Sequence, residues 1–335
     1  MPMPSPVIDL HCDLLAYLLS TTPLNPFDRE RIGSSFPALA EGGVKLQVMA
    51  IFTPTKSGST AMALRQSQIF QELCTDHAGY CYVVDDVEAL DQLPTDDRLG
   101  MIAAIENASG ICEEDEPLEK GLERLEQIIS NTSRLLYVGL THHPENRFGG
   151  GNNSAAGLKE DGKTLLQYLS GRKIAIDFSH ASDALAYGML EYIDQHNLDL
   201  PIIASHSNYR EVFHHVRNLP DDLAKDIIKR KGLIGLNFLR AFVNNDDSNA
   251  LYDHLAHGLQ LGGAQAVCFG ADYFCTDHHP DRSRVPFYYP EHSDATRYPA
   301  ILATIADRVD PNLVTAMSSE NVLRFMRRLW AEVDH

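Results

Sequence analysis

Apolar positions along the chain gather in short, nearly continuous runs, and amphipathic stretches separate many of them. The runs occupy 7–11, 45–53, 100–106, 135–141, 173–179, 201–205, 232–238 and 266–272, eight in all. Continuous apolar runs of this length suit parallel strands covered on both faces. Between them, 182–196 repeats Leu185, Met189 and Ile193 along one helical face, and 221–231 carries Leu223, Ile227 and Ile228 as a stripe. Asp221 reads as the N-cap of that second helix; Lys229, Arg230 and Lys231 fill its last turn and Gly232 ends it. Further amphipathic helices are predicted over 66–74, 118–129 and 164–169. No repeat, low-complexity tract or linker breaks the pattern, so one domain over 1–335 is expected.

Eight strands alternating with helices predict an α/β fold, a single (β/α)8 TIM-type barrel. A doubly wound open sheet would more often show a Gly-rich first turn, and 11–15 contains no glycine. Two long segments rich in breakers, 142–162 and 275–293, each follow a strand and would cover the C-terminal mouth of the barrel.

The strand ends carry the chemistry. The first run closes on His11-Cys12-Asp13, the third on Glu106, the fourth on His142-His143, the fifth on His180, the sixth on His206 and the eighth on Asp272. On an extended strand His11 and Asp13 project to one side, and Cys12 to the packing side. Taken singly, each residue has an ordinary reading as a hydrogen-bonded histidine, a turn aspartate or a helix cap. Together they are hard to explain as caps, because six of eight strands place such a residue at the end that converges on one mouth. Imidazoles and carboxylates in one place suit a divalent metal, above all zinc. Among the other histidines, His143, His214, His215, His278, His279 and His292 read as solvated or structural, with His278 or His279 as candidates to line a lid.

Charge and composition narrow the class. There are 28 basic and 46 acidic residues, a formal net of −18, which repels phosphate backbones and anionic lipid. Nucleic-acid and membrane partners are therefore not expected. Six cysteines form no Cys-x-x-Cys pair, as expected of reduced thiols in the cytoplasm. The N-terminus shows no signal-peptide pattern and the C-terminus no lipid-anchor signal.

Nine segments in order along the chain are similar to the membrane dipeptidase (renal dipeptidase) family, zinc hydrolases of the amidohydrolase superfamily. They run from Asp9-Leu10-His11-Cys12-Asp13-Leu14 through Ala104-Ile105-Glu106, Leu140-Thr141-His142, Ile176-Asp177-Phe178-Ser179-His180 and Ser205-His206-Ser207-Asn208. They continue with Arg217-Asn218-Leu219-Pro220-Asp221, the 232–238 run, Gly270-Ala271-Asp272 and Ser319-Glu320-Asn321-Val322-Leu323-Arg324. The resemblance implies two Zn²⁺ per chain, with His11 and Asp13 on one, His180 and His206 on the other, and Glu106 bridging. It also implies that His142 and Arg217 hold the substrate and that Asp272 acts beside the attacking water. Arg217 suits a C-terminal carboxylate, which a guanidinium binds through two parallel hydrogen bonds. The reaction so implied is hydrolysis of dipeptides with a free C-terminal carboxylate by a metal-bridging hydroxide, a D-configured C-terminal residue being accepted, in a chain that forms homodimers. Two other readings stay open at this point: another amidohydrolase-type activity on an N-acyl amino acid or lactam, and a catalytically idle barrel that binds metal or peptide.

Overall fold

The computed structural model describes residues 6–277, 279 and 281–331. His278 and the terminal residues behind the leader and anchor expectations lie outside this set. The strands are β1 (Val7–Cys12), β2 (Val44–Ile51), β3 (Cys81–Val83), β4 (Leu99–Ile105), β5 (Leu135–Gly139), β6 (Ala175–Asp177), β7 (Ile202–Ile203), β8 (Ile234–Leu236) and β9 (Val267–Phe269). All pairings between them are parallel, in the order β7-β6-β5-β4-β2-β1-β9-β8. The two ends of that order meet through a parallel bridge between Ala204 and Ile234, where Ala204 N–H donates to Leu233 and Gly235 N–H to Ala204, both at 2.8 Å. The expected eight-stranded barrel is thus closed.

Each predicted run supplies one barrel strand, and β3 is the departure. This three-residue strand pairs with the first residues of β4, and β5 takes over that edge from Ala103 onward. Side chains from seven of the eight barrel strands fill the interior, among them Leu10, Val48, Ala104, Leu136, Ala175, Ile203 and Cys268, and Leu233 joins them from just before β8. The opposite faces of the strands pack under the helices. The helix Asn321–Trp330 closes the N-terminal end: Val322, Phe325 and Met326 join the interior cluster, and the Asn321 amide donates to the Val267 carbonyl at 2.8 Å.

Closure at β7, β8 and β9 depends on two glycines. A Cβ on Gly235 would lie 2.0 Å from the Ser205 carbonyl oxygen, and one on Gly270 1.9 Å from the same atom. The helix before β8 departs in detail from its expected caps. It spans Asp221–Lys229 with Pro220 at the N-cap, and the left-handed residue after it is Lys231 (φ 61°) rather than Gly232. Gly232 is required for space instead, since a Cβ there would meet the Ile202 carbonyl at 2.0 Å.

Among the described residues no helix is long and apolar enough to cross a membrane.

Candidate metal centre and active site

The C-terminal strand ends bring His11, Asp13, Glu106, His142, His180, His206 and Asp272 to one place. Ligand atoms of His11, Glu106 and His206 lie within 4.8 Å of one another, as do those of His11, Asp13 and Asp272, and those of His142, His143 and His180. Glu106 is central. Its Oε2 is 3.7 Å from His11 Nε2, while its Oε1 is 3.0 Å from His180 Nε2 and 3.8 Å from His206 Nε2. The two oxygens of one carboxylate thus face different imidazoles, as a bridging ligand requires.

Asp13 does not lie on the strand. β1 ends at Cys12 after an irregularity in its pairing between Asp9 and Cys12, and Asp13 is the N-cap of the helix Leu14–Leu19. Its side chain makes no capping hydrogen bond, so the carboxylate is left to the site. Cys12 packs in the core against Met49, as strand alternation predicts.

Two of the residues adopt left-handed backbone, His180 (φ 67°) and Asp272 (φ 64°). That conformation is costly for a side chain with a Cβ and persists where the surroundings over-determine it. At Asp272 the fixing contacts are explicit. Its N–H donates to the His11 carbonyl at 3.2 Å, Tyr288 Oη donates to its carbonyl at 2.5 Å, and Asn237 Nδ2 donates to its Oδ2 at 2.8 Å. Its Oδ1 is 3.7 Å from His11 Nε2.

The electrostatics of these groups fit a cation. Burial pushes the Asp272 carboxyl up to about 7, against the lowering effects of Arg217 and the Asn237 amide. Burial, then the charge of Asp272, raises Asp13 well above the ordinary carboxylate range. Glu106 rises for the same reason, with Asp13 and Asp272 adding to it. Burial also holds His11 down to about 3 and His142, His180 and His206 well below the usual imidazole range. Neutral imidazoles keep a lone pair for a metal, and clustered carboxylates are stable as anions only beside a cation. His11 Nε2, Asp13 Oδ1 and Glu106 Oε2 are moreover buried without a hydrogen-bond partner among the described residues. Orphaned polar atoms of this kind, two carboxylate oxygens and an imidazole nitrogen, belong to the donor set of a divalent N/O metal centre.

A second layer of residues aims the ligands, and sequence reasoning missed it. His206 Nδ1 lies 2.6 Å from Ser205 Oγ, which donates to Asp177 Oδ2 at 2.5 Å. The Ser205 proton is committed to Asp177, so His206 Nδ1 is the donor in the first contact and its Nε2 carries the lone pair. Asp177 also accepts from the N–H groups of Ser179 and Ser205 at 3.0 and 2.8 Å. On β1, Asp9 accepts from the N–H groups of His11 and Ala271 and from the Tyr298 hydroxyl.

The mouth opens into a cavity of about 750 Å³. Asp13, Glu106, His142, His180 and Asp272 form its floor, and Phe52, Leu239, Phe242, Phe274 and Phe287 supply an apolar wall. Both long loops border it, as expected. His142 Nε2 is 3.6 Å from Glu106 Oε1, and its ring meets those of Phe52 and His180. His143, expected to be solvated or structural, lines the cavity, as does His279; His292 is buried against Phe238 and Tyr252.

Arg217 is placed differently from a simple cavity residue. It is 4% exposed, with Nη1 donating to Ser207 Oγ at 3.0 Å and Nη2 to the His206 carbonyl at 2.9 Å. Its guanidinium sits over the Phe242 ring, and Nε has no acceptor among the described residues.

Comparison with known proteins agrees with this geometry. Residues 3–333 match the sequence profile of the Membrane dipeptidase (Peptidase family M19) family. An uncharacterized protein in the PQQ-III 3′ region of Acinetobacter calcoaceticus is 25% identical over 278 residues, 73% of this chain and 84% of that one. The fold is similar to the crystal structure of dipeptidase AC, a metallo peptidase, with TM-score 0.84 and 23% identity over 98% of this chain and 99% of that one. It is also similar to a metallo peptidase from Rhodobacter sphaeroides liganded with a phosphinate mimic of L-Ala-D-Ala. There the TM-score is 0.81 and the identity 22%, over 97% of this chain and 99% of that one.

Proposed function

The chain belongs to the membrane dipeptidase family, and from that premise we propose that it is a zinc-dependent dipeptidase acting on dipeptides with a free C-terminal carboxylate. The observation that carries the reading is the divided carboxylate of Glu106, with Oε2 toward His11 and Oε1 toward His180 and His206. His11 and Asp13 would hold one zinc, His180 and His206 the other, with Glu106 shared. Zinc bound there supplies Lewis-acid polarisation of the scissile carbonyl and an acidified water near neutral pH.

The chain's own residues do the rest. Asp272, with Oδ2 held by Asn237, presents Oδ1 to take the proton of the attacking water and pass it to the leaving amine. His142, kept neutral by burial, offers an imidazole N–H to the carbonyl oxygen on which charge builds. Arg217 keeps unused guanidinium N–H groups for the substrate carboxylate, and the apolar wall excludes water from the side chains. The liganded Rhodobacter sphaeroides protein, bound to a mimic of L-Ala-D-Ala, supports tolerance of a D-configured C-terminal residue. Six free thiols suit a reducing compartment such as the cytoplasm.

Metal analysis of the purified protein, followed by hydrolysis of dipeptides with L- and D-C-terminal residues, tests this. The expected result is about two zinc per chain and an activity that a chelator abolishes. Metal-loaded protein that cleaves no dipeptide but opens a lactam or N-acyl bond would overturn it.

A further inference from the structure

The cavity has an uneven charge. Apart from Asp13, Glu106 and Asp272 at the metal centre, its charged lining residues among those described are Lys56 and Arg284, both cationic. This is the opposite sign to the chain as a whole, whose formal net charge is −18. Lys56 is unpaired among the described residues, and Arg284 is paired through one nitrogen only. Lys56 Nζ has no hydrogen bond or ion pair to a described residue, and Arg284 uses only Nε, which donates to Asp281 Oδ2 at 3.1 Å. Both Nη groups of Arg284 remain free of side-chain partners among the described residues.

Arg284 and Arg217 stand on the same side of the site. The Arg217 guanidinium lies over the Phe242 ring at 5.4 Å, and Phe242 lines the cavity together with Arg284. The short helix that carries Phe242, Arg240–Val243, is bonded to the Arg284 segment through the Arg240 N–H, which donates to the Phe287 carbonyl at 2.9 Å. One guanidinium is buried and anchored, and the other is on the 275–293 loop with its fork open. Two arginines on one side of the site match two carboxylates on one residue. The aromatic wall formed by Phe242, Phe274 and Phe287 would take the methylenes between them.

We propose that the preferred substrates are dipeptides whose C-terminal residue is acidic, with Arg217 taking the main-chain carboxylate and Arg284 the side-chain carboxylate. This rests on the dipeptidase reading and names its substrate class. Lys56, on the loop after β2, adds to the attractive field without needing to touch the substrate. Cationic side chains beyond the metal centre of an acidic protein concentrate a substrate with two carboxylates, an effect that salt weakens.

The test uses isosteric pairs on the zinc-loaded enzyme: Ala-Glu against Ala-Gln, and Glu-Ala against Gln-Ala, each with L- and D-C-terminal residues. The expected kcat/KM is about tenfold higher for Ala-Glu than for Ala-Gln, with a smaller ratio for the reversed pair and a decline of the Ala-Glu advantage at high salt. Arg284→Met should bring the Ala-Glu to Ala-Gln ratio close to one, while Arg284→Lys keeps part of it. Equal rates on Ala-Glu and Ala-Gln in the wild-type enzyme overturn the proposal whether or not the variants fold. An undiminished ratio in a folded Arg284→Met overturns the role of Arg284. Zinc-loaded enzyme that cleaves neutral and acidic dipeptides alike leaves the dipeptidase reading standing; cleavage of none overturns both.

Discussion

Tyr137 Oη lies 2.7 Å from His11 Nδ1 and, on its other side, 3.0 Å from the Leu10 carbonyl oxygen. A phenol has one proton, and a carbonyl can only accept it. The Tyr137 proton therefore goes to Leu10, His11 Nδ1–H donates to the phenol oxygen, and His11 Nε2 is left bare beside Glu106 and Asp272. A tyrosine on β5 thus sets which nitrogen of a β1 histidine is available to a metal.

Tyr137→Phe should accordingly leave the fold intact and weaken metal binding. The imidazole would be free to take the other tautomer, and loss of such a partner typically costs about 10–100-fold in metal affinity. Competition with a chromogenic chelator measures this directly. Unchanged affinity would mean that the hydroxyl does not orient His11.

Glu106 and Asp272 are both buried acids, yet their amide variants should behave differently. Glu106→Gln should lose activity through low metal content. Chelated Glu106→Gln should melt no lower than chelated wild type, because without a cation the carboxyl is penalised by burial and by Asp13 and Asp272. Asp272→Asn should keep most of its metal and lose about 10²–10⁴-fold in kcat as a general base is removed. Metal-to-protein ratios on the two variants decide the matter, and similar losses of metal in both would contradict this division of roles.

Arg217→Ala should mainly raise KM for dipeptides with a free carboxylate, by about 10-fold or more, and change KM little for C-terminally amidated ones. Its place in the fold adds a second effect. Ser207 Oγ and the His206 carbonyl each lose a donor, so the melting temperature should also fall. A variant with the wild-type KM ratio between free and amidated substrates would show that Arg217 only braces His206.

The strand-end residues were legible because barrel closure sends every C-terminal end to one mouth, so residue type at the end of an apolar run is enough to nominate a ligand. Asp13 reaches the site by a route that strand alternation does not predict, from a helix cap. β3 is not legible because one buried and two half-buried residues, Cys81-Tyr82-Val83, have no period to read. Tyr137, Asp177 and Asn237 were illegible for another cause. Each is a polar tip in an apolar run, and its partner comes from a strand or turn tens of residues away, or more than a hundred for Tyr137. Arg284 lies in a loop whose path only the packed structure defines.

Acid should weaken the fold through His254, a buried residue of the helix Ala250–Gln260. Its Nδ1 accepts the Tyr209 N–H at 3.2 Å, so Nε2 carries the proton and donates to the Val243 carbonyl at 2.9 Å. A second proton would have to enter at Nδ1, against that N–H, and burial holds the imidazole down to about 4. An unfolded chain titrates this group near 6.5. Between pH 6.5 and about 4 the unfolded state therefore binds a proton that the folded state refuses. The stability His254 contributes is fully present above pH 6.5 and is lost as the pH falls toward 4. Other buried groups also titrate in this range, so the useful measurement is a difference. His254→Asn, whose side-chain oxygen can still accept the Tyr209 N–H, should be less stable than wild type at pH 7. Denaturant titrations of both proteins in chelator should show that gap narrowing by up to about 3 kcal/mol as the pH approaches 4. A gap that stayed constant from pH 7 to 4 would show that His254 takes its proton as readily in the folded protein as in the unfolded chain.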